Sequence, residues 1–385
     1  MLTLTLSGRI DATNAEKVSQ ELNDAIAAGG SENGIALDAD GLTYISSAGL
    51  RVLLGLKKRY GNVSVINLSR DVYEIFETTG FDQILSARKK KRQVSVEGCE
   101  VIGKGYCGTV YRLDPETIIK VYHGAPEEAL AEIENEKNMA KLALVSGIPT
   151  AISYDIVRVG KDYGSVFELL NAMTFNDMVI KNPGDLDAIV GRFVDFLKVV
   201  HATEINDPRL SSAKENFFGY LDAIRETLGD PLYAKLKQLV GTIPESHHVV
   251  HGDPQMKNIM QVDGEPMLID MDTLCAGEPI FDLQALYVTY VAYAEDDPGN
   301  PMSFLGISFE TAMAIWEKTL DRYFEDGFHA DKKEVLEKIQ ILAYVRFLSQ
   351  ILEDNRTDSP LGRLRVEHSV KKLLELAERY ENLLI

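Results

Sequence analysis

From residue 2 the chain reads LTLTLSG, where apolar residues alternate as in a half-buried β-strand. NAEKVSQELNDAIAAG follows with apolar residues at helical spacing and a closing glycine, which predicts an amphipathic helix. GIALDAD returns to a strand, SAGLRVLLGLKKRYG to a helix whose first turn begins at Ser46 and Ser47, and NVSVINL to a strand. DVYEIFETTG reads as a last helix, with FDQIL as a tail. Such alternation predicts an α/β domain over residues 1–87, a mostly parallel sheet covered by helices. SARKKKRQVS has no periodicity, so residues 88–95 are expected to form a solvated basic linker.

A second domain is expected over residues 96–385. VEGCEVIGKGYCGTVYRL and TIIKVY are strand patterns separated by a DPE turn, and PEEALAEIENEKNMAKLALVSG is a helix. YGSVFELLNA reads as a strand entering a connection, which closes a sheet-rich part at about residues 96–170. From about 171 onward the pattern is mostly helical. DLDAIVGRFVDFLKVVHATEI is clearly amphipathic, the short runs HHVV and PMLID are strand-like, and four long helical segments follow Leu283. The expected class is α+β with two lobes.

Composition narrows the setting. At 385 residues, two or three domains are affordable in size. Three scattered cysteines, Cys99, Cys107 and Cys275, suit neither a disulfide framework nor a zinc site and point to a reducing cytoplasm. The start has no basic segment followed by an apolar core, and no apolar run reaches the roughly 20 residues that span a bilayer. Net charge is −19. Residues 1–86 hold about −4 of it and the run Arg88–Arg92 adds about +5, leaving about −20 for the rest. That field repels nucleic acid and favours a cationic partner.

The chemistry concentrates in HGDPQMKN, His251 to Asn258, and in LIDMD, Leu268 to Asp272. Phosphoryl transfer needs one carboxylate at the acceptor hydroxyl, with an amide and a second carboxylate to hold magnesium on ATP phosphates. Asp253 suits the first role, and Asn258 and Asp270 the metal. His251 reads as a brace for the loop and Asp282 as its anchor through backbone N–H groups. Asp272 is open between an assisting metal ligand and a turn hydrogen bond, on the expectation that the strand carrying Asp270 continues through it. Upstream, Gly103, Gly105 and Gly108 form G-x-G-x-x-G. A dinucleotide fingerprint would place a helix directly after it, whereas here strands follow, with Lys120 on the second. That is the glycine-loop and strand-lysine order of protein kinases. Such a lysine needs a carboxylate partner. Glu136 lies among the inward-facing residues of the next helix, ahead of Glu132 and Glu134. Glu168 to Leu170 would be the hinge whose backbone meets adenine. His201 reads as a packing residue, and Glu295, Asp296, Asp297, Glu353 and Asp354 as solvated helix ends open to a cationic substrate.

Two resemblances cover the chain. LSGRID, LDADGLTYISSAGLRVLL and ETTGFDQIL resemble the STAS domain, the fold of bacterial anti-sigma-factor antagonists. This implies a protein partner, and in that family a serine at the helix start is phosphorylated; the aligned position here is Ala48, with Ser47 the available substitute and helix capping by Ser46 and Ser47 the alternative. From about Val96 to Ile385, HGD and IDMD resemble the aminoglycoside phosphotransferase/choline kinase family. That resemblance implies a two-lobed kinase-like fold, ATP, Mg²⁺ and transfer of the γ-phosphate to a small-molecule hydroxyl. The GKGYCGTVY loop is closer to protein kinases, which keeps a protein substrate open. Signalling through partner binding, or phosphorylation of the chain's own Ser46 or Ser47, is the alternative function.

Overall fold

The computed structural model describes residues 2–30, 34–105, 108–170, 172–325, 327, 331–353 and 356–385. Cys107 and Asp354, named above, lie outside the described residues. The chain divides into two compact units, residues 1–97 with 156–163, and residues 98–155 with 164–385.

The first unit follows the predicted alternation: β1 Leu2–Ile10, α1 Ala15–Gly29, β2 Ile35–Ile45, α2 Ser47–Tyr60, β3 Val63–Ile66, α3 Arg70–Thr78 and α4 Phe81–Ile84. The sheet order is β1-β2-β3, parallel throughout. Ile35, Ala36, Leu37 and Ala39 on the central strand are all buried, as a parallel strand covered on both faces requires. Leu22, Ile26, Leu53, Leu56, Val72 and Phe76 bring the helices onto it. Each such fully buried side chain contributes about 1.5–3 kcal/mol. Ser46 caps α2, its Oγ accepting from the Ala48 N–H at 3.2 Å, and Ser47 is exposed at the first helical position.

Residues 88–94 have mostly exposed side chains, but their backbone is paired. Arg88 N–H donates to Val65 O, Leu68 N–H to Arg88 O and Lys90 N–H to Leu68 O, at 2.8–3.1 Å, so the segment runs beside the end of β3. Lys90 forms an ion pair with Asp40, and the Lys89 ammonium lies 4.3 Å from the centre of the Tyr73 ring. Within the same unit Val94 N–H donates to Arg158 O and Arg158 N–H to Arg92 O. The lack of periodicity was a poor guide, because a segment pairing through its backbone needs no apolar face.

In the second unit β4 Glu100–Lys104, β5 Gly108–Arg112, β6 Thr117–Tyr122 and residues 164–168 of β8 Asp162–Glu168 are antiparallel neighbours in that order, while β7 Asp155–Val159 falls almost wholly in the first unit. Helix α5, Pro126–Val145, follows β6. The helical part contains α6 Phe175–Lys181, α7 Leu186–Ala202, α8 Ala213–Ala223, α9 Arg225–Leu228, α10 Asp230–Gly241, α11 Ile280–Tyr287, α12 Tyr293–Glu295, α13 Asn300–Leu305, α14 Phe309–Tyr323, α15 Lys332–Glu353 and α16 Pro360–Ala377. Short strands interrupt it: β9 Ala172–Thr174, β10 Ser211–Ser212, β11 Val249–Val250, β12 Ile259–Val262, β13 Glu265–Leu268 and β14 Cys275–Ala276. Ile189, Val190, Phe193, Val194, Leu197 and Val200 bury one face of α7 at the predicted spacing. Among the described residues no helix is long and apolar enough to cross a membrane.

Candidate active site

The glycine segment joins β4 to β5, with Gly105 N–H donating to Gly108 O at 2.9 Å. A Cβ on Gly108 would stand 2.5 Å from Val121 O, so only glycine lets β5 approach β6 here. Gly103 and Gly105 face looser surroundings: the nearest atoms to an added Cβ are 3.6 and 4.0 Å away. Lys120 lies on β6 opposite Val110 and Ser165. Its Nζ is 3.3 Å from Glu136 Oε2 on α5 and also forms an ion pair with Asp270. Glu136 is buried and also accepts from Tyr122 OH, whereas Glu132 is exposed. Burial works against the lysine charge, but Asp270 and then Glu136 outweigh it and hold the ammonium above its ordinary range. Tyr122 sits two residues from Lys120 on one strand, hence on its face, a period-2 signal that sequence reading passed over.

At the end of β8, Leu169 N–H donates to Glu116 O at 2.7 Å. Thr117 is paired with Glu168, so antiparallel alternation turns the Glu168 N–H and C=O away from β6. Leu170 follows, its carbonyl accepting from Ala172 N–H.

The HGD turn is held almost atom by atom. Asp282, fully buried at the start of α11, accepts from His251 N–H at 2.8 Å and Gly252 N–H at 2.7 Å. Thr273 Oγ1 donates to His251 O at 2.8 Å and Arg346 Nη1 to Gly252 O at 2.6 Å. Gly252 has φ +83°, and a Cβ there would meet Thr273 O at 2.6 Å. Further on, Met256 N–H donates to Tyr290 OH at 3.1 Å. His201 does more than pack. Its Nε2 meets Asp282 Oδ2 at 2.9 Å and its Nδ1 meets Tyr323 OH at 2.8 Å, steadying the anchoring carboxylate from behind.

Asp253, Asn258 and Asp270 meet around the backbone of one apolar residue. Ile269 N–H donates to Asn258 O at 2.9 Å, extending the β12–β13 pairing of Ile259 with Leu268. Ile269 O faces His251 Nε2 at 3.1 Å, and His251 Nδ1 accepts from Asp253 N–H at 3.3 Å. Asn258 Nδ2 donates to both Asp253 O and Asp253 Oδ2 at 3.0 Å. Gln255 Nε2 also reaches Asp253 Oδ2, at 2.8 Å.

The strand does not continue through Asp272. β13 ends at Leu268, Asp270 takes a left-handed conformation with φ +63°, and Met271–Thr273 form a 3₁₀ turn. A non-glycine residue in this region is held there by its surroundings. Asn135 Nδ2 reaches the Asp272 backbone carbonyl at 3.4 Å. The Asp272 carboxyl is pushed up to about 6, first by burial and then by the negative charge of Asp270.

The donor set suits a magnesium ion. Both Asn258 Nδ2 contacts go to acceptors on Asp253, which fixes the amide orientation and leaves Oδ1 as its acceptor face. Asp270, Asp272 and Glu136 concentrate negative charge. Among the described residues no cage of three or more His, Cys, Asp or Glu exists. Magnesium ordinarily takes only one or two protein ligands beside water and phosphates.

The phosphotransferase enzyme family model matches residues 98–324, more than half of the chain. The chain belongs to the phosphotransferase enzyme family. Ahead of it, the STAS domain model matches residues 1–94. A putative anti-sigma factor antagonist, BtrV of Bordetella bronchiseptica, is 39% identical over 85 residues, covering 21% of this chain and 72% of that protein. Similar solved structures include a choline/ethanolamine kinase family protein from Mesorhizobium loti, with TM-score 0.46, 15% identity and coverage of 73% of this chain and 88% of that one. The gentamicin complex of APH(2")-IIa has TM-score 0.47 and 14% identity, covering 80% and 97%.

In this phosphotransferase the late acids are not loose helix ends. Glu295 accepts from Tyr287 OH at 3.0 Å and Tyr344 OH at 2.8 Å. Asp296 meets His368 Nδ1 at 3.0 Å, and Asp297 lies 3.9 Å from the Arg365 guanidinium. Glu353 alone of the described four is exposed without such a partner among the contacts resolved. Three acids expected to meet solvent or a cationic substrate therefore have partners inside the chain.

Proposed function

We propose that the second unit transfers the γ-phosphoryl group of ATP to a hydroxyl of a small molecule. The observation that carries this reading is the convergence of Asp253, Asn258 and Asp270 on the Ile269 backbone, with Lys120 paired to both Glu136 and Asp270. Asp253 orients the attacking hydroxyl and takes its proton. Lys120, held on a rigid strand by Glu136, directs its ammonium at the phosphates, and the backbone at Gly103, Gly105 and Gly108 lies over them. Glu168 O and Leu170 N–H meet the adenine edge. Asn258 and Asp270 would hold magnesium, which supplies charge neutralisation on the phosphates when bound. With no covalent intermediate on the protein, the rate comes from positioning and charge stabilisation. An ADP-release screen of the purified chain against hydroxylated amines and sugars tests the reading. Asp253→Asn should lower turnover by roughly 10²–10⁴-fold while nucleotide affinity persists; undiminished phosphotransfer in that variant refutes the assignment.

The STAS domain targets or regulates this activity through a protein partner. Its support is the likeness to the putative anti-sigma factor antagonist. A second reading, phosphorylation within the chain, is favoured by the exposed Ser47 hydroxyl at the start of α2. Intact mass after incubation with ATP and magnesium separates the two, since an unchanged mass eliminates the second.

A further inference from the structure

Arg346 is the only charged residue between Lys338 and Glu353, in the middle of a mostly apolar stretch of α15. Its Nη1 donates to the Gly252 carbonyl at 2.6 Å. That carbonyl shares a peptide group with the Asp253 N–H, which donates to His251 Nδ1. Because Nδ1 accepts, the imidazole proton lies on Nε2, where it donates to Ile269 O at 3.1 Å. Ile269 O in turn shares a peptide group with Asp270. A line of hydrogen bonds thus runs from Arg346 through the Gly252–Asp253 peptide and His251 to the peptide that carries Asp270. Bonds arranged head to tail polarise and strengthen one another.

We propose that Arg346 is a positioning residue for phosphoryl transfer, fixing the spacing of Asp253 and Asp270 through this line. The inference rests on the roles given to those two carboxylates above. Its second support is the Arg346 Nε, which is buried with no hydrogen-bond partner among the described residues. A guanidinium partly removed from water with one donor unmatched is a poor stabiliser of an apolar helix, where a residue such as methionine would serve as well. What the charged fork adds is the short bond to Gly252 O.

The test compares Arg346→Met and Arg346→Lys with wild type in the full chain. ADP release from ATP and magnesium is measured with and without an acceptor found by screening. The Met variant should lose roughly 10- to 100-fold in kcat, as a small misplacement of reacting groups does, with little change in KM for ATP. The Lys variant, keeping one charged donor, should fall between. Long-range ¹H–¹⁵N spectra without nucleotide should show His251 protonated at Nε2 in wild type and a mixture of tautomers in the Met variant. Wild-type kcat in the Met variant, or an equal loss in kcat and ATP affinity with an unchanged His251 spectrum, overturns the proposal. Should the Met variant fail to fold, wild-type kcat in the Lys variant overturns it and a reduced kcat with retained KM supports it. Absence of ADP release from wild type with every acceptor would instead refute the phosphotransfer reading, and the His251 spectrum would still decide whether the line exists.

Discussion

Asp282 concentrates more hydrogen bonds than any acid that touches the reaction. Burial pushes its carboxyl upward, but the hydrogen bond and charge of His201, with the His251 contributions, outweigh that and hold it below 3.8. A folded-state value below the unfolded one means stability that is present above about pH 4 and lost as pH falls through the folded value. Asp282→Asn should therefore flatten the acid limb of a stability-against-pH curve. It also turns an NH₂ group toward one of two backbone donors and leaves His201 facing an uncharged partner, a loss of about 3–5 kcal/mol. Urea unfolding at pH 7 and pH 4 checks both; an unchanged acid limb would show that Asp282 is not the titrating anchor. Tyr122 is a milder case. Tyr122→Phe removes one donor from Glu136 while Lys120 remains, so about 1.5–3 kcal/mol should be lost. Glu136 would then be freer to move, and weaker nucleotide binding should accompany the loss. Equal nucleotide affinity in the variant would leave Tyr122 a packing residue.

Among the elements, the β5–β6 pair has the least tolerance, because Gly108 stands where a side chain would press on Val121 O. Gly108→Ala should cost roughly 1–3 kcal/mol as the strands part, and should weaken ATP-analogue binding by displacing Lys120; an unshifted Tm would contradict the close approach. The strand–helix alternation of residues 2–84 was legible because period-2 and period-3.6 patterns were clean there and a glycine (Gly30, Gly61, Gly80) stood at or just past the end of α1, α2 and α3. Helices α6 and α8 went unread although both begin with a capping sequence. Thr174 Oγ1 accepts from Asp177 N–H at 3.0 Å and Ser212 Oγ from Glu215 N–H at 3.3 Å, the serine or threonine followed three residues later by an acid. The Asp270–Asp272 turn was not legible. Nothing in IDMD distinguishes a continuing strand from a left-handed break, since the break is imposed by Thr150 and Ala151 holding Leu268 O and by Asn258 holding Ile269 N–H. Arg346 had a signal, a lone charge between Lys338 and Glu353, but its target 94 residues away in sequence belongs to tertiary structure.

At the scale of the whole molecule, the run Arg88–Arg92 offers five consecutive trypsin sites where a linker was expected. Trypsin needs a segment that can leave its neighbours and extend into the protease cleft, so exposure of side chains alone does not give cleavage. The side chains of Arg88, Lys89 and Lys90 are exposed, yet the backbone of Arg88 and Lys90 is bonded to Val65 and Leu68, and that of Arg92 and Val94 to Arg158. Opening the run would break these bonds together with the Lys90–Asp40 pair and the Lys89 stacking on Tyr73. Limited trypsin digestion of the native chain, read by intact mass, should therefore find this run slower to cut than its five basic residues would suggest. Replacing Asp40 and Tyr73 by alanine removes the two side-chain restraints and leaves the backbone bonds, so cutting at Arg88–Arg92 should accelerate several-fold without loss of either unit's fold. Immediate cleavage at the run in the unaltered protein would restore the solvated linker. Protection would mean that the run belongs to the folded first unit, held there by its backbone bonds to Val65, Leu68 and Arg158.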